Sequence, residues 1–182
     1  MKNALVILAP GFEEIEATTP VDLLRRAGAR VILAGTIKGP IEGKNHVSIA
    51  TDATIDNVLD EDFDLIILPG GAVGTENLNN DTRVKEIVLC HYDNNRLVAA
   101  ICAAPMVLSS LEITKGKRIT AHPSVHSALK NENLIDERVV EDGNIITSQG
   151  PGTAIEFSLK LVELLFGKEK AKEIARAIIF NP

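Results

Sequence analysis

Four short runs, Ala4–Ala9, Arg30–Ala34, Leu65–Leu68 and Leu97–Ile101, are aliphatic at nearly every position, and helical patterns lie between them. A strand with one wet face alternates apolar and polar side chains. A strand that is apolar on both faces has to be covered on both. Strands separated by helices are joined by crossovers and run parallel. The chain therefore predicts an α/β domain over residues 1–182: a three-layer, doubly wound, mostly parallel sheet. Ligands in such sheets bind beyond the C-terminal strand ends, at the point where the strand order reverses. This directs attention to residues 10–16, 69–75 and 102–104, and to the loops near 122 and 150.

The remaining elements follow from local signals. Residues 17–27 read as a helix stopped by Gly28, with Pro20 in its first turn or at a kink. Residues 37–60 hold Gly39, Pro40, Gly43 and short alternating stretches, the pattern of a hairpin excursion. A helix over 81–92 is capped by Asn80 or Asp81, and another covers 103–111. Short strands are expected at 118–121, 139–141 and 145–148. Helices over 153–166 and 168–179 are divided at Gly167.

Composition narrows the function. Aromatic residues are 3% of the chain, with no Trp, so the core is aliphatic and base stacking on aromatic platforms is not expected. The net charge of −6 disfavours nucleic acid and anionic membranes as partners. The apolar stretch from Leu97 to Leu108 is well short of the roughly 20 residues of a membrane span. The N-terminal apolar run is followed by Glu13, Glu14 and Glu16, unlike a signal peptide. Cys90 and Cys102 have no zinc-ligand spacing. A cytoplasmic protein with reduced thiols, no metal and no cofactor is expected.

Cys102 stands between a strand of small residues and a helix. A nucleophile at such a corner is held out on a tight backbone, and the helix N-terminus should lower its pKa. The alternative is a buried structural cysteine. Cys90, beside Ile87, Val88 and Leu89, reads as core packing. The glycines of Pro69-Gly70-Gly71 let backbone N–H groups face a ligand, as in an oxyanion hole; a tight turn is the simpler reading. Glu13, Glu14 and Glu16 read as dipole-favoured surface residues, although a buried carboxyl here would meet Cys102 if the strands are neighbours. His122 and His126 are spaced i,i+4, but Pro123 and the lack of other ligands argue against a metal pair. His122 is better taken as a base or hydrogen-bond partner for the thiol. Gly150-Pro151-Gly152 is either a close-approach loop or a sharp turn.

These segments together resemble the ThiJ/PfpI superfamily, in its Parkinson-disease-associated (DJ-one-like) branch. The resemblance rests on Leu5–Glu16, Pro20–Gly28, Leu68–Gly71, Ala99–Pro105 and Thr147–Thr153, in that order, and covers nearly the whole chain. It implies a flavodoxin-like sandwich with Cys102 on a nucleophile elbow and Glu16 as the acid that hydrogen-bonds it. It also implies Gly71 and Ala103 as oxyanion-binding groups and His122 as the nearby histidine. A homodimer is implied, with the first helix at the interface and Arg26 reaching the partner's active-site mouth. The position of a second family arginine, in the hairpin, holds Asn45. The protease-like branch places His directly after the cysteine; here Ala103 stands there, so a peptidase lacks its base.

The activity implied first is that of a cysteine-dependent stress-response enzyme acting on a small reactive carbonyl or a glycated protein, of glutathione-independent glyoxalase or deglycase type. The alternative is a redox-sensing, chaperone-like protein that uses oxidation of Cys102. Some relatives carry a thiazole-phosphate biosynthesis label.

Overall fold

The computed structural model describes residues 1–181; Pro182, the last residue of the expected domain, lies outside them. In chain order the elements are β1 (Asn3–Leu8), α1 (Glu14–Ala27), β2 (Arg30–Gly35), β3 (Ile41–Glu42), β4 (Ser48–Ile49), β5 (Ala53–Thr54), β6 (Leu65–Leu68), α2 (Ala72–Asn80), α3 (Thr82–Asp93) and β7 (Leu97–Ile101). They continue with α4 (Pro105–Ser110), β8 (Arg118–Ile119), β9 (Asn133–Leu134), β10 (Val139–Asp142), β11 (Ile145–Ser148), α5 (Ala154–Phe166) and α6 (Lys168–Ala177).

Seven strands form the main sheet in the order β10-β11-β7-β6-β1-β2-β5. All neighbours run parallel except β10 and β11. The sheet has two dry faces, as the apolar runs require. Val6 and Leu8 of β1 pack with Leu24, Phe157 and Leu161 on one face. Leu5 and Ile7 pack with Val88 and Leu108 on the other. Each fully buried aliphatic side chain of this size contributes about 1.5–3 kcal/mol. The order reverses at β1, which pairs with β2 on one side and β6 on the other. The crevice that follows opens above Pro10–Phe12 and Pro69–Gly71.

Several local expectations shift. The first helix starts at Glu14, not at 17, so Pro20 lies in its interior, outside the first turn. Pro20 supplies no amide for the Glu16 carbonyl. Asp81 is the cap of α3, accepting from the Arg83 N–H at 3.0 Å. Helix α2, strand β9 and edge strand β5 were not anticipated. β8 is shorter than 118–121 and pairs with β9 outside the main sheet. The hairpin expected within 37–60 is the antiparallel pair β3–β4.

Cys90 is exposed, contrary to the core assignment. The buried stripe of α3 is Val84, Ile87, Val88 and His91, an i, i+3, i+4, i+7 set. Cys90 falls off that stripe; its apolar sequence neighbours misled.

Candidate active site

Cys102 follows the last residue of β7 and has φ +67°, a left-handed backbone that a residue with a Cβ rarely adopts. Both its backbone polar groups are held. Its N–H donates to the Ser148 carbonyl at 2.9 Å, and its carbonyl accepts from the His122 N–H at 2.8 Å. The buried Ala103 and Ala104 leave room for the corner. The side chain is half-buried, and the backbone N–H groups of Gly71 and Ala103 favour negative charge on its sulfur.

The acids after β1 are not surface residues. Glu13, Glu14 and Glu16 are 4%, 9% and 0% exposed. The Gly70 N–H donates to Glu16 Oε2 at 2.7 Å. The other oxygen, Oε1, is buried on the side of the Cys102 thiol and has no hydrogen-bond partner among the described residues. Gly70 thus departs from the oxyanion role expected of it: its amide orients the carboxyl, and Gly71 and Ala103 are left to face the sulfur.

Burial raises the Glu16 carboxyl to about 7. Burial, and then the charge of Glu16, push the Cys102 thiol up to about 12, against the pull of the two amides. This reverses the expected lowering by the following helix. Helix α4 is only six residues long, and desolvation outweighs what its first turn supplies. A proton on Glu16 removes the repelling charge and provides a donor to sulfur. The thiol and carboxyl therefore titrate as a pair that shares protons.

Two glycines let these groups close on one another. A Cβ at Gly70 would stand 2.7 Å from both Cys102 Cβ and Glu16 Oε2. A Cβ at Gly150 would stand 3.2 Å from His122 Cδ2 and 4.0 Å from both Cys102 Sγ and Glu16 Oε1. Gly150 therefore marks the point on which the sulfur, the acid and the histidine converge, which settles its loop as one of close approach. Nδ1 of His122 accepts from the Ser124 N–H at 3.2 Å, so the neutral ring carries its proton on Nε2.

Not every expected residue reaches this point. Arg26 lies near the opposite end of α1, about 15 Å along the helix axis from Glu16 at 1.5 Å per residue. It pairs there with Asp22 at 2.8 Å. Asn45 binds Glu14, through its N–H at 2.8 Å and its side-chain amide at 2.9 Å. The residue that sequence reasoning missed is Lys44, whose Nζ meets Glu13 Oε2 at 2.5 Å. A lone lysine in a turn carries no signal until the hairpin is folded against α1. Among the described residues no cluster of three or more His, Cys, Asp or Glu side chains is placed to hold a metal.

A thiol on a strained strand end, beside a buried carboxyl at the switch point of a mostly parallel sheet, defines a flavodoxin-like α/β protein with a cysteine elbow. The chain belongs to the DJ-1/PfpI family, whose profile matches residues 2–164. It is 44% identical to Protein DJ-1alpha of Drosophila melanogaster, over 99% of this chain and 85% of that protein. It is 36% identical to the glutathione-independent glyoxalase DJR-1.2 of Caenorhabditis elegans, over 97% of this chain and 96% of the relative. The crystal structure of Drosophila melanogaster DJ-1beta superposes with a TM-score of 0.97 at 41% identity, covering 100% of this chain and 99% of that one. No helix among the described residues is long and apolar enough to cross a membrane.

Proposed function

We propose that this protein is a cysteine-dependent enzyme for small reactive carbonyls, of the glutathione-independent glyoxalase type, with Cys102 as nucleophile and Glu16 as proton carrier. The observation that carries the reading is the buried Glu16 carboxyl, fixed by Gly70 and facing the thiol of a positive-φ elbow. A relative named as a glutathione-independent glyoxalase, alignable over nearly the whole chain, supports it.

With methylglyoxal, the Glu16 carboxylate takes the thiol proton while sulfur bonds to the aldehyde carbon. The carbonyl electron pair moves to oxygen, which the Gly71 and Ala103 amides stabilise until Glu16 passes the thiol's proton to it and is again a carboxylate. The carbon-bound proton of this hemithioacetal is then removed, with Glu16 as base, and returned to the neighbouring carbon. The hydroxyl proton passes to the former ketone oxygen, so that the former aldehyde carbon becomes a thioester carbonyl and the former ketone a secondary alcohol. Water adds to the thioester, the carbon–sulfur bond breaks, and lactate and the thiol are released. One water is consumed and no redox partner is required. His122, with its proton on Nε2, serves as a hydrogen-bond donor to substrate oxygen.

The test is lactate formation from methylglyoxal by wild type, Cys102→Ser and Glu16→Gln. Each substitution should lower the rate by about 10²-fold or more. Equal rates in all three overturn the mechanism. Glycated protein is the second substrate to assay.

A redox-sensing, chaperone-like role is favoured by one further observation. The amides of Gly71 and Ala103 that face the sulfur would equally hold the oxygens of a sulfinate. Mild peroxide should then oxidise Cys102 before the exposed Cys90; the reverse order rules the role out. We place the working form, a single ThiJ/PfpI-type domain in each copy, in the cytoplasm as a homodimer formed through α1. Ile15 on that helix is 51% exposed and Ile155 beside it is 37% exposed, so this face is apolar where a second copy would cover it. Arg26 would then approach the partner's site.

A further inference from the structure

The mechanism leaves one charged pair beside the site unexplained. Glu13 is almost fully buried at the head of α1, and among the described residues its paired cation is Lys44 from the β3–β4 turn. The pair is fixed from both sides. The Lys44 N–H donates to the Phe12 carbonyl at 2.8 Å, and the Glu13 N–H donates to the Gly70 carbonyl at 3.0 Å. The same Gly70 residue donates its own N–H to Glu16. The Glu13 backbone and the Glu16 carboxyl therefore sit on the two polar groups of one glycine, and the charges of the buried Glu13 and the half-exposed Lys44 act on the Glu16 carboxyl.

We propose that Lys44 is a positioning residue for the Cys102 thiol: held by Glu13, its half-exposed ammonium offsets the negative charge beside the Glu16–Cys102 pair and eases ionisation of the sulfur. The titratable groups whose charge this ammonium feels are Glu13, the residue before α1, Glu16 on α1 and Cys102 at the elbow. Glu14 is taken up by Asn45, and His46 pairs with Glu42 within the hairpin. His122 faces the thiol from the loop after β8. Among these, Glu13 pushes the Glu16 carboxyl up and Lys44 pulls it down, the opposed effects of a coupled pair. The lysine replaces nothing in the chemistry. Its ammonium is paired with the Glu13 carboxyl.

The proposal rests on the reading of Cys102 as the reacting group, but its test needs no turnover. The rate of alkylation by iodoacetamide is followed against pH in a Cys90→Ser background, so that only Cys102 reports. In Lys44→Met the midpoint should rise by about one unit, which slows alkylation at neutral pH by about tenfold. In Glu13→Gln, which leaves the ammonium without its counter-charge, the midpoint should fall. Lys44→Arg should keep the wild-type profile, and Glu13→Gln combined with Lys44→Met should return close to it.

A midpoint that is unmoved, or that moves the same way in Lys44→Met and Glu13→Gln, overturns the proposal. If Lys44→Met does not fold, with Glu13 buried and unpaired, the fall in Glu13→Gln and the return in the double variant decide it. Lactate formation measured in parallel separates the two readings. A wild type that makes none, yet keeps these opposed shifts, supports the role of Lys44 and overturns only the enzyme.

Discussion

Glu16 and Gly70 are 54 residues apart in the chain and joined by one hydrogen bond, in which the glycine N–H holds the carboxyl that faces Cys102. That bond fixes where the proposed proton carrier stands. Burial around it fixes how long the carrier keeps its proton, which gives the first prediction.

Glu16 holds its proton to about pH 7 in the folded chain, against 4.5 for an ordinary Glu. The folded state therefore binds more protons than the unfolded state between these values, and stability falls as pH rises through the window. Glu16→Gln removes the titration but keeps an oxygen for Gly70. Its advantage over wild type should grow from pH 4.5 to above 7, toward a limit on the order of 3 kcal/mol. Urea unfolding at a series of pH values measures it; parallel curves for the two proteins contradict the burial of an ionisable Glu16.

Gly150→Ala tests the point of convergence. Its backbone is extended, so a methyl brings no conformational strain, and stability should change by less than about 1 kcal/mol. The methyl nevertheless enters the space between His122, Cys102 and Glu16. Methylglyoxal turnover should fall by about 10²-fold. A variant as active as wild type would show that substrate approaches from elsewhere.

Arg83 ties three segments together. Its guanidinium reaches both oxygens of Asp56 at 2.9 Å, the Thr36 carbonyl at 2.9 Å and Asp81, the cap of α3. The side chain is about one-third exposed, so Arg83→Ala should cost about 1–2 kcal/mol. Arg83 holds the Asp81 carboxyl below its ordinary 3.8. This contribution is complete above that value and is lost as pH falls below it, so the two unfolding curves should converge in acid.

Cys90→Ser should leave stability within about 0.5 kcal/mol of wild type and leave methylglyoxal turnover unchanged. Thermal unfolding and the lactate assay check both. A large loss of stability would return Cys90 to the core.

The sheet was legible because its evidence is local. Leu65–Leu68 and Leu97–Ile101 are apolar on both faces whatever surrounds them, and Gly28 and Gly167 stop helices where they stand. Cys102 was legible for a related reason, since small residues and a strand–helix corner sit beside it in sequence. The acids were harder. Glu13, Glu14 and Glu16 look like any charged first turn, and their burial is imposed by β6 and by a hairpin that arrives from elsewhere. The role of Lys44 depends on where that hairpin folds, and that of Gly150 on which side chains approach it. Cys90 misled because its neighbours in sequence are not its neighbours on the helix face.

The central position of β1 has a consequence for the order in which the protein comes into being. β1 is made first, yet its partner β6 begins at Leu65, and the elbow at Cys102 takes its N–H bond from Ser148. A chain emerging from the ribosome carries Cys102 as an ordinary, unstrained thiol until residues 145–150 have followed it. Pairings this distant are slow to form. The corner at Cys102 is therefore among the last features to be assembled, and a chain cut short before β11 would retain the cysteine without the Ser148 bond that holds it at the strand end.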